Sequence, residues 1–89
     1  MFFKKGDIVR WTSQAAGVRN VKEGVVVEVL DEGQVPEHKI RWPGMSRNHE
    51  SYLIKARVVE SNGTPVEGRR VKYYWPKVKN LELVRPCNG

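Results

Sequence analysis

Two β-favouring runs, Ser51–Val59 and 69–75, flank an Asn62-Gly63 pair. That arrangement constrains the chain more than any other feature, because Asn-Gly between alternating residues is the strongest short-range hairpin signal. With these two residues as the turn, Ser61 faces Thr64 and the pairing extends down both arms. Tyr52 then lies opposite Tyr73, Ile54 opposite Val71 and Ala56 opposite Arg69. On the other face Leu53 meets Lys72, and Lys55 meets Arg70. The apolar and basic sets separate onto opposite faces, and a slip of one residue scrambles both. A wider loop through Pro65 and Gly68 is compatible if it keeps this parity.

The basic face places Lys55, Arg57, Arg70 and Lys72 close together, with Tyr74 at one end. Like charges opposite one another on a sheet are mildly destabilising, and an anionic partner relieves the repulsion. A solvated face is the competing reading, since Lys and Arg usually sit outside.

Eighty-nine residues make one small domain, 1–89, with a core over about 5–85, a long loop at 31–49 and a tail at 85–89. A chain this short buries about 60–65% of its unfolded surface, enough for one core but not for a deep cleft. The net charge is +6, from 16 Lys and Arg against 10 Asp and Glu. It is unevenly spread: residues 69–79 hold Arg69, Arg70, Lys72, Lys77 and Lys79 without an acid, whereas 28–37 hold Glu28, Asp31, Glu32 and Glu37 without a base. Such polarity suits an acidic partner. Cys87 is the one cysteine, so no disulfide forms within the chain, which fits a reducing, cytoplasmic setting. No apolar run reaches the roughly 18–20 residues that span a bilayer, and the N-terminal residues lack a secretory signal's apolar stretch.

In chain order, the pattern predicts strands near 7–11, 24–30, 50–59, 69–75 and 81–84. Residues 12–22 read as a polar loop. In 24–30 the β-branched run places Val25, Val27 and Val29 on one face and Val26, Glu28 and Leu30 on the other. Pro36, Pro43, Gly33 and Gly44 break up 31–49, and 38–42 is a candidate short edge strand. Within that segment Arg41, Trp42, Arg47 and His49 form a possible contact loop, against a reading in which Trp42 caps the core. Pro76 ends the fourth strand and favours one turn of 3₁₀ helix over 77–80. The expected core is Val9, Trp11, Val25, Val27, Val29, Tyr52, Ile54, Val71, Tyr73, Leu81 and Leu83.

This layout of about five short strands, with a 3₁₀ turn before the last, is that of a small all-β, SH3-like barrel. Lys5-Gly6-Asp7-Ile8-Val9-Arg10-Trp11, followed by Gly24-Val25-Val26-Val27-Glu28-Val29, resembles the opening of KOW and Tudor-type barrels. It is particularly similar to small bacterial Tudor-like proteins known as hypervirulence-associated. The resemblance covers about two thirds of the chain and implies a fold rather than an activity. The chain departs from the pattern at 31–49 and 69–79, so no binding residue is carried over. Trp11, Tyr52, Tyr73 and Trp75 read as core rather than as an aromatic cage.

No catalytic constellation stands out, and the chain is not expected to be an enzyme. His38, His49 and Cys87 lack metal-ligand spacing, there is no phosphate-binding Gly-rich loop, and no cofactor is implied. Asp31-Glu32 beside Gly33 reads as a solvated turn. Two functions remain. The first is nucleic-acid binding, DNA or RNA, with weak sequence preference: Lys55, Arg57, Arg69, Arg70, Lys72, Lys77 and Lys79 hold phosphates, and Tyr74 or Trp42 is available for stacking. The second is a protein–protein interaction module, or a small inhibitor that binds an acidic surface of a nucleic-acid enzyme.

Overall fold

A computed structural model describes residues 2–15, 17–36 and 47–87. Five antiparallel strands form one sheet in the order β4-β3-β2-β1-β5. They are β1 (Ile8–Ala15), β2 (Val18–Leu30), β3 (Ser51–Val59), β4 (Lys72–Tyr74) and β5 (Glu82–Arg85). A 3₁₀ turn, Val78–Asn80, precedes β5 as the sequence implies. No described helix is long and apolar enough to cross a membrane.

The expected polar loop at 12–22 is instead the outer half of a long β1–β2 hairpin. Ala15 pairs with Val18, Thr12 with Val21 and Trp11 with Lys22. Gly17, at φ 79°, occupies the turn. Two residues suffice to join antiparallel strands, so the polar alternation of 12–22 extends the strands instead of ending them.

A bulge at Val27 controls which side chains are buried. Val26 pairs with Ile54, and the next pair is Glu28 with Leu53, so Val27 is the extra residue. Before the bulge the inner face of β2 carries Gly24 and Val26; after it, Val29. Val26 is therefore fully buried, while Val25 and Val27 are only partly so, contrary to the uninterrupted alternation expected for 24–30. The main core joins Phe3, Val9, Trp11, Val26, Tyr52, Ile54 and Ala56. Val29, Tyr74, Val78 and Leu81 pack against it. Leu30, Leu53 and Trp75 form a second cluster, in which the Trp75 indole donates to Ser51 Oγ at 2.8 Å.

The β3–β4 connection differs from the expected two-residue turn. Glu60 N donates to Thr64 O and Gly63 N to Glu60 O, both at 2.8 Å, closing a three-residue loop with Gly63 at φ 88°. A second turn follows, with Arg69 N donating to Val66 O at 3.4 Å and Gly68 at φ 83°. β4 then pairs Ile54 with Tyr74, Lys55 with Tyr73 and Ala56 with Lys72. The odd loop length exchanges the two faces of the returning arm. Val71 and Tyr73, expected in the core, are 46% and 36% exposed, and Leu83 of β5 is 47% exposed.

The sheet is curled. β1 and β4 are three strands apart, about 14 Å in a flat sheet, yet the rings of Trp11 and Tyr74 meet edge-to-face with centroids 5.7 Å apart. Gly24 permits the bend. A Cβ there would lie 2.2 Å from Lys55 O and 2.4 Å from Ala56 Cβ. The chain ends are tied in by side chains. The Tyr52 hydroxyl accepts from Phe2 N and Phe3 N at 3.1 and 3.3 Å and donates to Glu50 Oε1. Buried Asp7 accepts from Lys4 N at 2.8 Å and from Cys87 N at 2.7 Å. These two amides, Lys4 first, hold its carboxyl below the usual aspartate value.

Two outcomes follow for stability. Gly24→Ala should cost about 1–3 kcal/mol through forced overpacking and Ile54→Ala about 2–5 kcal/mol, while Val71→Ala stays within about 0.5 kcal/mol, all read from chemical denaturation midpoints. The Asp7 contribution is present above the unfolded carboxyl value of about 3.9 and is lost as pH falls through the lower folded value. Asp7→Asn should therefore lower the midpoint at pH 7 and flatten its acid dependence.

Candidate nucleic-acid interface

The exchange of faces divides the expected basic cluster. Lys55 is exposed beside Tyr73 on the outer face. Arg57 lies opposite Glu23 on the same face, half-buried. Glu23 there accepts from Arg10 Nη2 at 2.6 Å and Nε at 3.0 Å. Lys72 and Tyr74 occupy the inner, concave side, so Lys55, Arg57, Arg70 and Lys72 do not form one outer surface. The expectation failed because it assumed the wrong loop parity.

On the concave side two depressions flank Tyr74. One, of about 240 Å³, is lined by Val58, Gly68, Arg69, Arg70, Lys72 and Tyr74. The other, of about 490 Å³, is lined by Trp11, Thr12, Ser13, Gln14, Lys22, Tyr74, Trp75, Pro76, Lys77 and Asn80. Five cations thus meet around one aromatic wall, and no described carboxylate lines either depression.

Lys22 is the cation that sequence reasoning missed. It stands opposite Trp11 in the β1–β2 ladder, with its Nζ 4.4 Å from the centre of the Tyr74 ring. Partial burial, and then the charges of Arg69 and Lys72, push its ammonium below the usual lysine value. The signal was present in the sequence, but only a hairpin carried through 12–22 brings Lys22 under Trp11.

A third concavity, of about 710 Å³, lies at the end of the sheet near the 3₁₀ turn. Phe2, Phe3, Val78 and Leu81 supply apolar surface, and Arg47, His49, Glu50, Lys77 and Lys79 also line it. Lys79 therefore faces this end, whereas Lys77 borders both regions. The Arg47 guanidinium stacks 4.5 Å from the Trp75 ring centre and donates to Trp75 O at 2.6 Å. His49 Nδ1 lies 2.9 Å from Glu50 O. Arg41, Trp42 and the candidate strand at 38–42 lie outside the described residues. Among the described residues no group of His, Cys, Asp and Glu is suited to hold a metal.

Comparison with known proteins returns no match among family models, curated proteins or solved structures.

Lys22→Met should separate folding from binding. The substitution removes a charge that folding disfavours while keeping an apolar stem. The thermal midpoint is expected to hold or rise. A loss beyond about 0.5 kcal/mol would instead make the ammonium a structural element held by Tyr74.

Proposed function

We propose that this protein is a small basic module that binds nucleic acid through the concave face of its curled sheet, with weak sequence preference. One observation carries the reading: Lys22, Arg69, Arg70, Lys72 and Lys77 line two adjoining depressions around Tyr74 with no described carboxylate between them. A cluster of cations that disfavours its own charge is stabilised by phosphate groups, which also supply the counterion-release drive of nucleic-acid binding. The site extends the original set by Lys22 and keeps Arg69, Arg70, Lys72, Tyr74 and Lys77. Lys55, Arg57 and Lys79 face elsewhere and contribute long-range attraction only.

The strand order, with a 3₁₀ turn before β5, supports an SH3-like barrel of the Tudor or KOW type as the architecture that holds this face. Trp11 meeting Tyr74 across two intervening strands supports this reading, because it curls the sheet in the sense that closure needs.

The test is fluorescence anisotropy with a labelled oligonucleotide over a salt series. Each phosphate contact contributes about 0.7 to the log–log salt slope on single strands and about 0.9 on duplex. Arg69→Ala with Lys72→Ala should reduce the slope by about 1 to 2 units, whereas Lys55→Ala leaves it nearly unchanged. Wild-type affinity no tighter than that of a neutral control protein would remove the nucleic-acid reading and leave an acidic protein surface as the partner.

A further inference from the structure

The two depressions beside Tyr74 differ in chemistry. The smaller is a cationic pocket of Arg69, Arg70 and Lys72. The larger combines the half-buried Tyr74 ring, backed by the core residue Trp11, with the hydrogen-bonding side chains of Ser13 and Asn80. Its volume of about 490 Å³ lies within the roughly 300–1,000 Å³ of small-ligand sites. Ser13 shares the inner face of β1 with Trp11 by strand alternation, and Asn80 ends the 3₁₀ turn. Tyr74 is the wall common to both depressions, and Lys22 stands over its ring.

A slot with an aromatic wall and polar side chains, joined to a cationic pocket, matches the two halves of one nucleotide. Resting on the nucleic-acid reading above, we infer that the site takes single-stranded nucleic acid, seating one unpaired base against the half-buried Tyr74 ring while Arg69, Arg70 and Lys72 hold its phosphate. Ser13 and Asn80 meet the edge of the base. A duplex keeps its base faces stacked inside and presents only edges and phosphates, so it fills the cationic pocket but leaves the slot vacant unless a base is flipped out. Bases placed against aromatic side chains add affinity that any base can supply, consistent with weak sequence preference.

The experiment compares three labelled probes at one salt concentration: a single-stranded oligonucleotide, the same strand in a duplex, and a sugar–phosphate strand of equal length without bases. The single strand is expected to bind at least about fivefold tighter than either of the others, the low end of what a base stacked on an aromatic contributes. Ser13→Ala with Asn80→Ala should weaken binding of the single strand and leave the baseless strand unaffected. Equal affinity for single strand and baseless strand, or a preference for duplex, would overturn the base slot while leaving phosphate binding intact. Failure of all three probes to bind would overturn the nucleic-acid reading itself.

Discussion

The close approach of β2 and β3 at Gly24 sets the shape on which the rest of the molecule depends. A Cβ at that position would meet Lys55 O at 2.2 Å, so only glycine lets the two backbones come so near without displacement. Close by along β2, the bulge at Val27 adds a residue and increases the local bend, as bulges do. Together these features curl the sheet until β1 and β4, separated by two strands, share an aromatic contact between Trp11 and Tyr74. The same bend creates the concave side. Without it, Lys22 on β2 and Lys72 on β4 would be spread along a flat surface, and the apolar residues Phe3, Val78 and Leu81 would have no common core to join.

The charges on the two sides of the sheet are arranged differently. On the outer face Arg10 is neutralised by Glu23 at 2.6 Å, and Arg57 lies opposite that same carboxylate. On the inner face partial burial, and then the charges of Arg69 and Lys72, hold the Lys22 ammonium below the usual lysine value. A small domain gains no stability from such an arrangement. Its presence beside the half-buried Tyr74 ring and the hydrogen-bonding groups of Ser13 and Asn80 is what supports the proposed site for an anionic ligand. Under the proposed function, folding and binding make opposite demands on Lys22.

Much of the architecture was legible because β-strands write their burial in a period of two. Ser51–Val59 was read with its bounds and inner residues correct: Tyr52, Ile54 and Ala56 are buried. Pro76 correctly marked the end of β4 and the 3₁₀ turn. Three features were hidden, each because a local irregularity resets the period. The bulge at Val27 moves burial from Val25 to Val26. The loop 61–63 has three residues instead of two and transfers Tyr74 to the core side and Tyr73 to the outside. The turn at Gly17 is so short that the polar strands flanking it resembled a loop. The candidate site suffered accordingly: the basic residues of 69–77 were grouped with the wrong face, and Lys22 was absent because its strand was not recognised.

The central claim is that the concave side, rather than the outer face of the hairpin, holds the ligand. Nuclear magnetic resonance titration of isotope-labelled protein with a short single-stranded oligonucleotide tests it most directly, because side-chain signals report each face separately. The account predicts shifts at the Trp11 indole and at the side chains of Lys22 and Lys72, with Lys55 and the Tyr73 ring little changed. Shifts confined to Lys55, Arg57 and Tyr73, with Lys22 and the Trp11 indole unmoved, would contradict it.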